Sequence, residues 1–435
     1  MKEIDEEKKT KRKRVNSSNQ EKQEEKKQDE ETIREVIVEK RAGFNVLEVI
    51  IIMVIAILFG ALIGSAVTYT KEARNDDSIS DAVPEDLQEF VQTYYDISEN
   101  YYQDLDKEEL LDAGIKGMIE YLNDSHSVYM DEVESEAFNE KVEGSYVGIG
   151  AEITLKDNQA SVSYLFEDSP AMKAGLVVGD VIQQVDGKSV SGLSLSDISG
   201  LIKGKANTNV TIQVKRNEEI KDVVVVREKV ELTSVNSHVY ERNNKKIGYL
   251  DIDIFAANTS KQFKTALENL EKEKIDSLII DVRDNPGGHL TQVSEMLSLM
   301  IEKGKVLYQI ETKGIKEPTY DWTKEKRTYP VVVLMNHTSA SASEILAAAM
   351  KEVYGATLVG ETTYGKGTVQ QAFELKSGAT IKYTTQRWLT PNGTCIDEVG
   401  VEPDAEVEMA DAYYDNPMDD TDNQLQQALE LLQEK

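Results

Sequence analysis

Cysteine is nearly missing from this chain of 435 residues: Cys395 is the single thiol, which excludes an intramolecular disulfide framework. Histidine is scarce too, with four in all. Two Cys and two His at zinc-ligand spacing cannot be assembled, and no helical His-Glu-x-x-His occurs, so neither a metal nor another cofactor is expected. Basic residues are outnumbered, 49 Lys and Arg against 79 Asp and Glu, for a formal charge of −30. No broad cationic face is left for the phosphate contacts that dominate nucleic-acid affinity, so DNA and RNA are not expected partners. The acidic stretch from Glu402 to Asp422 lacks the spaced carboxylates and central glycine of a calcium loop, and reads as a solvated tail. What is present is 40% hydrophobic residues. At about 150 residues per domain, the length allows roughly three domains with a substantial core.

Residues 1–45 are mostly charged or amidic, with runs such as Lys11-Arg12-Lys13-Arg14. So few apolar side chains cannot offset the entropy of ordering, and a disordered tail is expected. From Val49 to Val67 the only markedly polar side chain is Ser65. A helix rising about 1.5 Å per residue over that run would span roughly 30 Å of hydrocarbon. Residues 46–69 are therefore expected to form a transmembrane helix. Lys40 and Arg41 precede it and acidic residues follow, so the positive-inside bias puts the N-terminus in the cytoplasm and the rest outside a bacterial cell membrane. A cleaved signal peptide is the competing reading, because Gly64-Ser65-Ala66 is a small-residue site; the long charged lead argues against it.

Residues 70–131 carry apolar positions at helical spacing, among them Leu87, Phe90, Val91 and Tyr94, then Leu110, Leu111, Ile115 and Met118. Two or three amphipathic helices are expected there, packing within the chain or against a second copy. Between Ser145 and Arg227 the pattern changes to short β-rich runs broken by glycine, with a helix near Leu195 to Lys203. Residues 132–228 resemble a PDZ domain. Gly148-Ile149-Gly150 is similar to a carboxylate-binding loop, and Asp168-Ser169-Pro170-Ala171 through Gly179-Asp180-Val181-Ile182 is similar to a segment of bacterial protease PDZ domains. Glycines let successive N–H groups converge on one anion, and an adjacent strand edge can add a peptide as an extra strand. Val147, Gly148, Ile149 and Gly150 are thus expected to read free C-termini.

After Lys246 buried strands alternate with helices, which calls for an α/β layer core. The segment Val331 to Tyr354 runs from an apolar strand through Asn336-His337-Thr338-Ser339 and small residues to a helix opened by Glu344. A strand-to-helix turn of Ser and Ala exposes a hydroxyl beside unpaired helix N–H groups, which suits a serine nucleophile. Helix capping by Ser339, Ser341 and Ser343 is the plainer reading of that cluster taken alone. Downstream, Gly365-Lys366-Gly367 follows a strand end, and a lysine between glycines can come close to another backbone element.

Here the chain resembles the carboxyl-terminal processing, or tail-specific, proteases. The matching pieces are Asp281-Val282-Arg283-Asp284-Asn285-Pro286-Gly287-Gly288, Ser339-Ala340-Ser341-Ala342-Ser343-Glu344, Gly365-Lys366-Gly367-Thr368-Val369-Gln370, and Leu389-Thr390-Pro391-Asn392-Gly393. They stand in family order after the PDZ-like region. The resemblance implies an α/β multidomain serine endopeptidase with a ClpP/crotonase-like core. It makes Ser341 the nucleophile, Lys366 the general base and Gln370 the residue that orients the lysine. Ala342 and either Gly287 or Gly288 would form the oxyanion hole, and a PDZ-gated homodimer is expected. Lys366 acts as a base only when neutral, so its pKa must fall from about 10.4 toward 7, a cost of roughly 4 to 5 kcal/mol that burial can supply.

Residues 229–405 are then the peptidase core and 406–435 an acidic linker with a C-terminal amphipathic helix, to which the family likeness gives a part in dimerisation. Two other classes compete. A Ser-His-Asp hydrolase would draw on His126, His238, His289 or His337. A non-enzymatic scaffold that only captures C-termini would have no use for both Ser341 and Lys366.

Overall fold

The computed structural model describes residues 84–156 and 158–434. They divide into two compact units, the first ending at Leu105. In that unit α1 (Glu85–Asn100) is amphipathic. The second unit opens with α2 (Lys107–Tyr121), whose N-cap Asp106 accepts hydrogen bonds from the N–H groups of Glu108 and Glu109. Strand β1 (Val128–Met130) and α3 (Glu132–Glu143) follow, α3 being closed by Gly144 in the left-handed region.

The PDZ-like module is entered and left through a paired ribbon, β2 (Ser145–Gly148) against β9 (Glu228–Glu231). Between them lie β3 (Ala151–Lys156), β4 (Gln159–Leu165), α4 (Pro170–Ala174), β5 (Val181–Val185), β6 (Lys188–Ser189), α5 (Leu195–Ile202), β7 (Asn209–Arg216) and β8 (Glu219–Val226). The sheet order is β3-β4-β5-β7-β8, so β3 presents an open edge. Its core gathers Ile149, Ile182, Ile198, Val210, Ile212 and Val214, separate from the core of the rest of the unit. Asp180, fully buried, is ionised by a two-toothed pairing with Arg216 at 2.6 and 2.7 Å.

The larger core is built on a six-stranded sheet in the order β10-β11-β12-β15-β16-β19. Its strands are β10 (Val235–Arg242), β11 (Lys245–Ile252), β12 (Ser277–Asp281), β15 (Val331–Met335), β16 (Thr357–Gly360) and β19 (Ala405–Glu406). Every residue of β12 and β15 is buried, as parallel strands covered on both faces require. Side chains alternate between two layers. Leu250, Leu278, Ile280, Val331 and Val333 face α6 (Thr259–Lys272), α7 (Leu290–Met300) and α8 (Ala342–Ala349). Ile247, Ile279, Val332, Leu334 and Val359 face the opposite way, onto a terminal helix. A second, antiparallel sheet contains β1, β13 (Val306–Thr312), β14 (Ile315–Tyr320), β17 (Thr368–Glu374) and β18 (Thr380–Leu389). After α9 (Asp411–Asp415) the chain closes with α10 (Asn423–Glu434).

Two expectations are corrected. The fold was expected to include a transmembrane helix. Among the described residues no helix is long and apolar enough to cross a membrane. The longest of them, α1, has 16 residues, about 24 Å at 1.5 Å per residue, and carries charge. The charged stretch 1–45 and the apolar run 46–69 lie outside the described residues. The architecture that the structure describes is α/β with a PDZ-like module.

The second correction concerns the C-terminal region. Asp422 is buried rather than solvated, because it pairs with Arg283 at 2.8 Å. The apolar face of α10, expected to serve a second copy, is covered within the chain: Leu425, Ala428, Leu429 and Leu432 pack on the central sheet.

Candidate active site

Three loops meet because they leave the C-terminal ends of three neighbouring parallel strands, β12, β15 and β16, the position where open α/β sheets place their sites. The loop after β12 carries Gly287 and Gly288, the loop after β15 carries Ser341, and the loop after β16 carries Lys366.

Asn285 ties the first two together. It is fully buried, and its Nδ2 donates to Ile252 O at 2.6 Å while its Oδ1 accepts from Gly287 N at 2.9 Å. Its own carbonyl accepts from Ala340 N and from Ser343 Oγ. Gly287 has φ 101°, and a Cβ there would stand 2.7 Å from Ala340 O and 2.9 Å from Ser341 Cβ. Only glycine permits that approach. Gly287 is buried with its N–H engaged, whereas Gly288 is exposed.

The three serines have different surroundings. Ser339 Oγ donates to Val282 O at 2.7 Å, and Ser343 Oγ donates to Asn285 O at 2.9 Å. Ser341 stands at φ 56° just before α8, a conformation that is costly for a residue with a Cβ and that clusters at functional sites.

Glu344, three residues on, is fully buried. Its Oε2 accepts from Ser341 N at 2.7 Å and from Lys366 N at 2.9 Å; its Oε1 accepts from Gly365 N at 2.7 Å and Thr363 Oγ1 at 2.6 Å. One carboxylate thus holds the backbones of the serine and lysine loops. Burial pushes its pKa up, against these four donors, which favour the charged form. The Ser-x-x-Glu spacing is a capping-box signature visible in the sequence, but its reach to the lysine loop was not.

The lysine loop is fixed from the other side as well. Trp388, fully buried, donates its indole N–H to Lys366 O at 2.7 Å. Burial depresses the Lys366 ammonium below its usual range, Lys382 adds like-charge repulsion, and Asp124 and Glu344 oppose the shift. Gln370 lies on β17 with its Nε2 donating to Thr368 Oγ1 at 2.9 Å and Thr384 Oγ1 at 3.1 Å, while neighbouring Gln371 is exposed. Among the described residues, no hydrogen bond joins the Ser341, Lys366 and Gln370 side chains to one another; Ser341 and Lys366 are tied through the backbone.

Of the histidines weighed as bases, His337 is mostly exposed and engages Glu361 at 2.8 Å. His126 belongs to the lysine's surroundings: burial and the nearby Lys366 charge push its pKa down.

In the PDZ-like module Ile149 is buried, and its carbonyl accepts from Ala171 N. Gly150 has φ 70° and no room for a Cβ beside Ser169. Val147 is half-buried, and the Tyr146 ring lies across Gly148. Burial raises the Tyr146 phenol pKa, and the nearby Gly150 and Ala151 backbone opposes that shift.

Fold and site together define a PDZ-bearing serine-type peptidase. The profile of peptidase family S41 matches residues 246–407, a PDZ domain profile matches 162–216, and the profile of the activating protease CtpB N-terminal domain matches 61–134. The chain is 37% identical over 335 residues to the carboxy-terminal processing protease CtpB of Bacillus subtilis, covering 76% of this chain and 70% of that protein. It is likewise 37% identical to CtpA of the same organism, over 83% of this chain and 77% of that one. A probable CtpA-like serine protease of Staphylococcus saprophyticus is 35% identical over 85% and 75%. The chain belongs to the carboxy-terminal processing proteases of peptidase family S41 and is a serine-type peptidase.

Proposed function

We propose that this peptidase cleaves proteins near their free C-termini with Ser341 as nucleophile and Lys366 as general base. Neutral Lys366 takes the Ser341 proton, the alkoxide attacks the peptide carbonyl, and lysine returns the proton to the leaving amine. Gln370 orients the lysine through its amide oxygen. Ala342 N–H and Gly288 N–H receive the oxyanion; Gly288 is preferred because the Gly287 amide is already bound to Asn285. The observation that carries this reading is Glu344, whose single buried carboxylate gathers the backbone of Ser341 and that of Lys366. The test is cleavage of a peptide with a free C-terminus. Ser341→Ala and Lys366→Ala should be inactive and His337→Ala active; a working Lys366→Ala enzyme overturns the assignment.

The PDZ-like loop, Val147 to Gly150, supplies substrate capture in this reading. A peptide carboxylate takes the Gly150 and Ala151 N–H groups in competition with the Tyr146 hydroxyl, whose ionised form that backbone favours, and its binding completes the approach of Lys366 to Ser341. Tyr146→Phe should therefore bind C-terminal peptides more tightly, as fluorescence anisotropy would read; unchanged affinity removes the competition. A homodimer belongs to the same reading, with Leu111, Met118 and Tyr121 of α2 exposed, and sedimentation equilibrium tests it.

A further inference from the structure

We propose that Asp124 is a positioning residue of the peptidase site, acting through Thr384 to decide which end of the Gln370 amide faces the lysine. The inference rests on the Ser341, Lys366 and Gln370 reading above and extends the site to Asp124, 260 residues before its partner Thr384 in the chain.

An amide side chain has two ends of similar shape and opposite polarity, and its orientation is set by its hydrogen-bond partners. Gln370 stands directly across from Thr384 in the β17–β18 pairing, at a register shift between Val369 and Gln370. A bulge of this kind re-aims the side chain that follows it. Thr384 Oγ1 carries one hydrogen, and that hydrogen goes to Asp124 Oδ2 at 2.6 Å. Toward Gln370 the hydroxyl can then offer only a lone pair. It is met by Nε2 at 3.1 Å, with Thr368 Oγ1 accepting from the same nitrogen at 2.9 Å. Oε1 is thereby excluded from the threonine side and left as the acceptor for an ammonium hydrogen of Lys366.

The source of this polarity is rigid. Besides Thr384, Asp124 accepts from Ser127 Oγ at 2.6 Å and from His126 N at 3.0 Å, so each of its partners donates. Ser127, itself buried, accepts from Thr384 N at 3.2 Å. The turn is seated by β1, whose Val128 to Met130 pair with Lys382 to Thr380 of β18. Burial opposes ionisation of Asp124, but the Ser127 and Thr384 hydroxyls and the His126 N–H outweigh it and hold the carboxyl below its usual range. The carboxylate is therefore an acceptor across the working range of a lysine base. With asparagine at 124, an N–H could face Thr384, which frees the threonine hydrogen for Gln370 Oε1 and turns the amide around.

The test is steady-state digestion of β-casein by the full chain across the alkaline range, comparing Thr384→Val, Thr384→Ser and Asp124→Asn with Lys366→Ala. Thr384→Val keeps shape and charge but loses the relay, so kcat should fall about tenfold or more, equivalent to one misplaced hydrogen bond, with KM and the acid limb of the pH profile unmoved. Thr384→Ser should retain the rate. Asp124→Asn should lower kcat and also move the acid limb to lower pH. The charges bearing on Lys366 are Asp124, Glu344, Lys382 and His126, and this variant removes one that favours the ammonium. Wild-type kcat in Thr384→Val, or an equal loss in Thr384→Ser, overturns the relay while the dyad stands. An active Lys366→Ala enzyme instead removes the dyad reading on which it rests.

Discussion

At the residue scale the site is a problem of placing charge and backbone where neither is comfortable. As the proposed base Lys366 must be neutral, and burial with Lys382 nearby lowers its pKa from 10.5. Activity should accordingly rise with pH through that depressed value. Lys382→Gln removes a like charge, which raises the Lys366 pKa and shifts the acid limb of kcat/KM to higher pH, the opposite sign to Asp124→Asn. Glu344→Ala leaves two loop amides, the Ser341 amide and the Thr363 hydroxyl without their acceptor. Each stranded buried donor costs about 1 to 3 kcal/mol, so urea denaturation should show a loss of several kcal/mol together with loss of activity. Gly287→Ala forces a Cβ to within 2.7 Å of Ala340 O at φ 101° and should abolish turnover, as peptide hydrolysis assays would report.

At the scale of elements, what positions these residues is the common end of three parallel strands and the tail that covers their sheet. Arg283 spans from Asp281 at the end of β12 to Asp422 and Gln424 at the start of α10. It therefore ties the glycine loop to the terminal helix. Arg283→Met leaves two buried carboxylates unpaired, and about 3 to 5 kcal/mol should be lost, read from the denaturation midpoint. Leu429→Ala, at the centre of the α10 contact, should cost about 2 to 5 kcal/mol by the same measurement. This helix was legible as amphipathic, but amphipathicity states that a face is covered and not by what. Dimerisation and intramolecular packing leave the same pattern in the sequence.

On the scale of the molecule, the described residues build three hydrophobic clusters, one in the PDZ-like module and one on each face of the central sheet. Ile198 is fully buried in the first alone. Ile198→Ala should lower the melting of that module and leave the transition of the peptidase core in place, resolved by calorimetry. If the proposed capture by the PDZ-like module holds, the full chain should cleave peptides with a free carboxylate faster than amidated ones and deletion of the module should remove that difference, measured by paired peptide substrates.

The buried strands at Ser277–Asp281 and Val331–Met335 were legible in the chain, because hydrophobic runs are local properties, whereas the glycine, serine and lysine loops were picked out together by their likeness to a known family. The family likeness singled out Ser341, but the physical difference among the three serines came from the tertiary structure: Ser339 and Ser343 give their hydroxyls to backbone carbonyls, whereas Ser341 stands at φ 56° with its N–H on Glu344. The physical difference between Gln370, chosen by the same likeness, and exposed Gln371 lies in the face of β17 each occupies. Tertiary structure alone divided the two glycines, by giving the Gly287 N–H to Asn285. The contribution of Asp124 carried no sequence signal at all, because it arises where a turn and a strand remote in the chain are brought side by side by pairing of β1 with β18. Local pattern specifies which groups a chain possesses; which hydrogen bond each one makes depends on partners that folding alone brings within 3 Å.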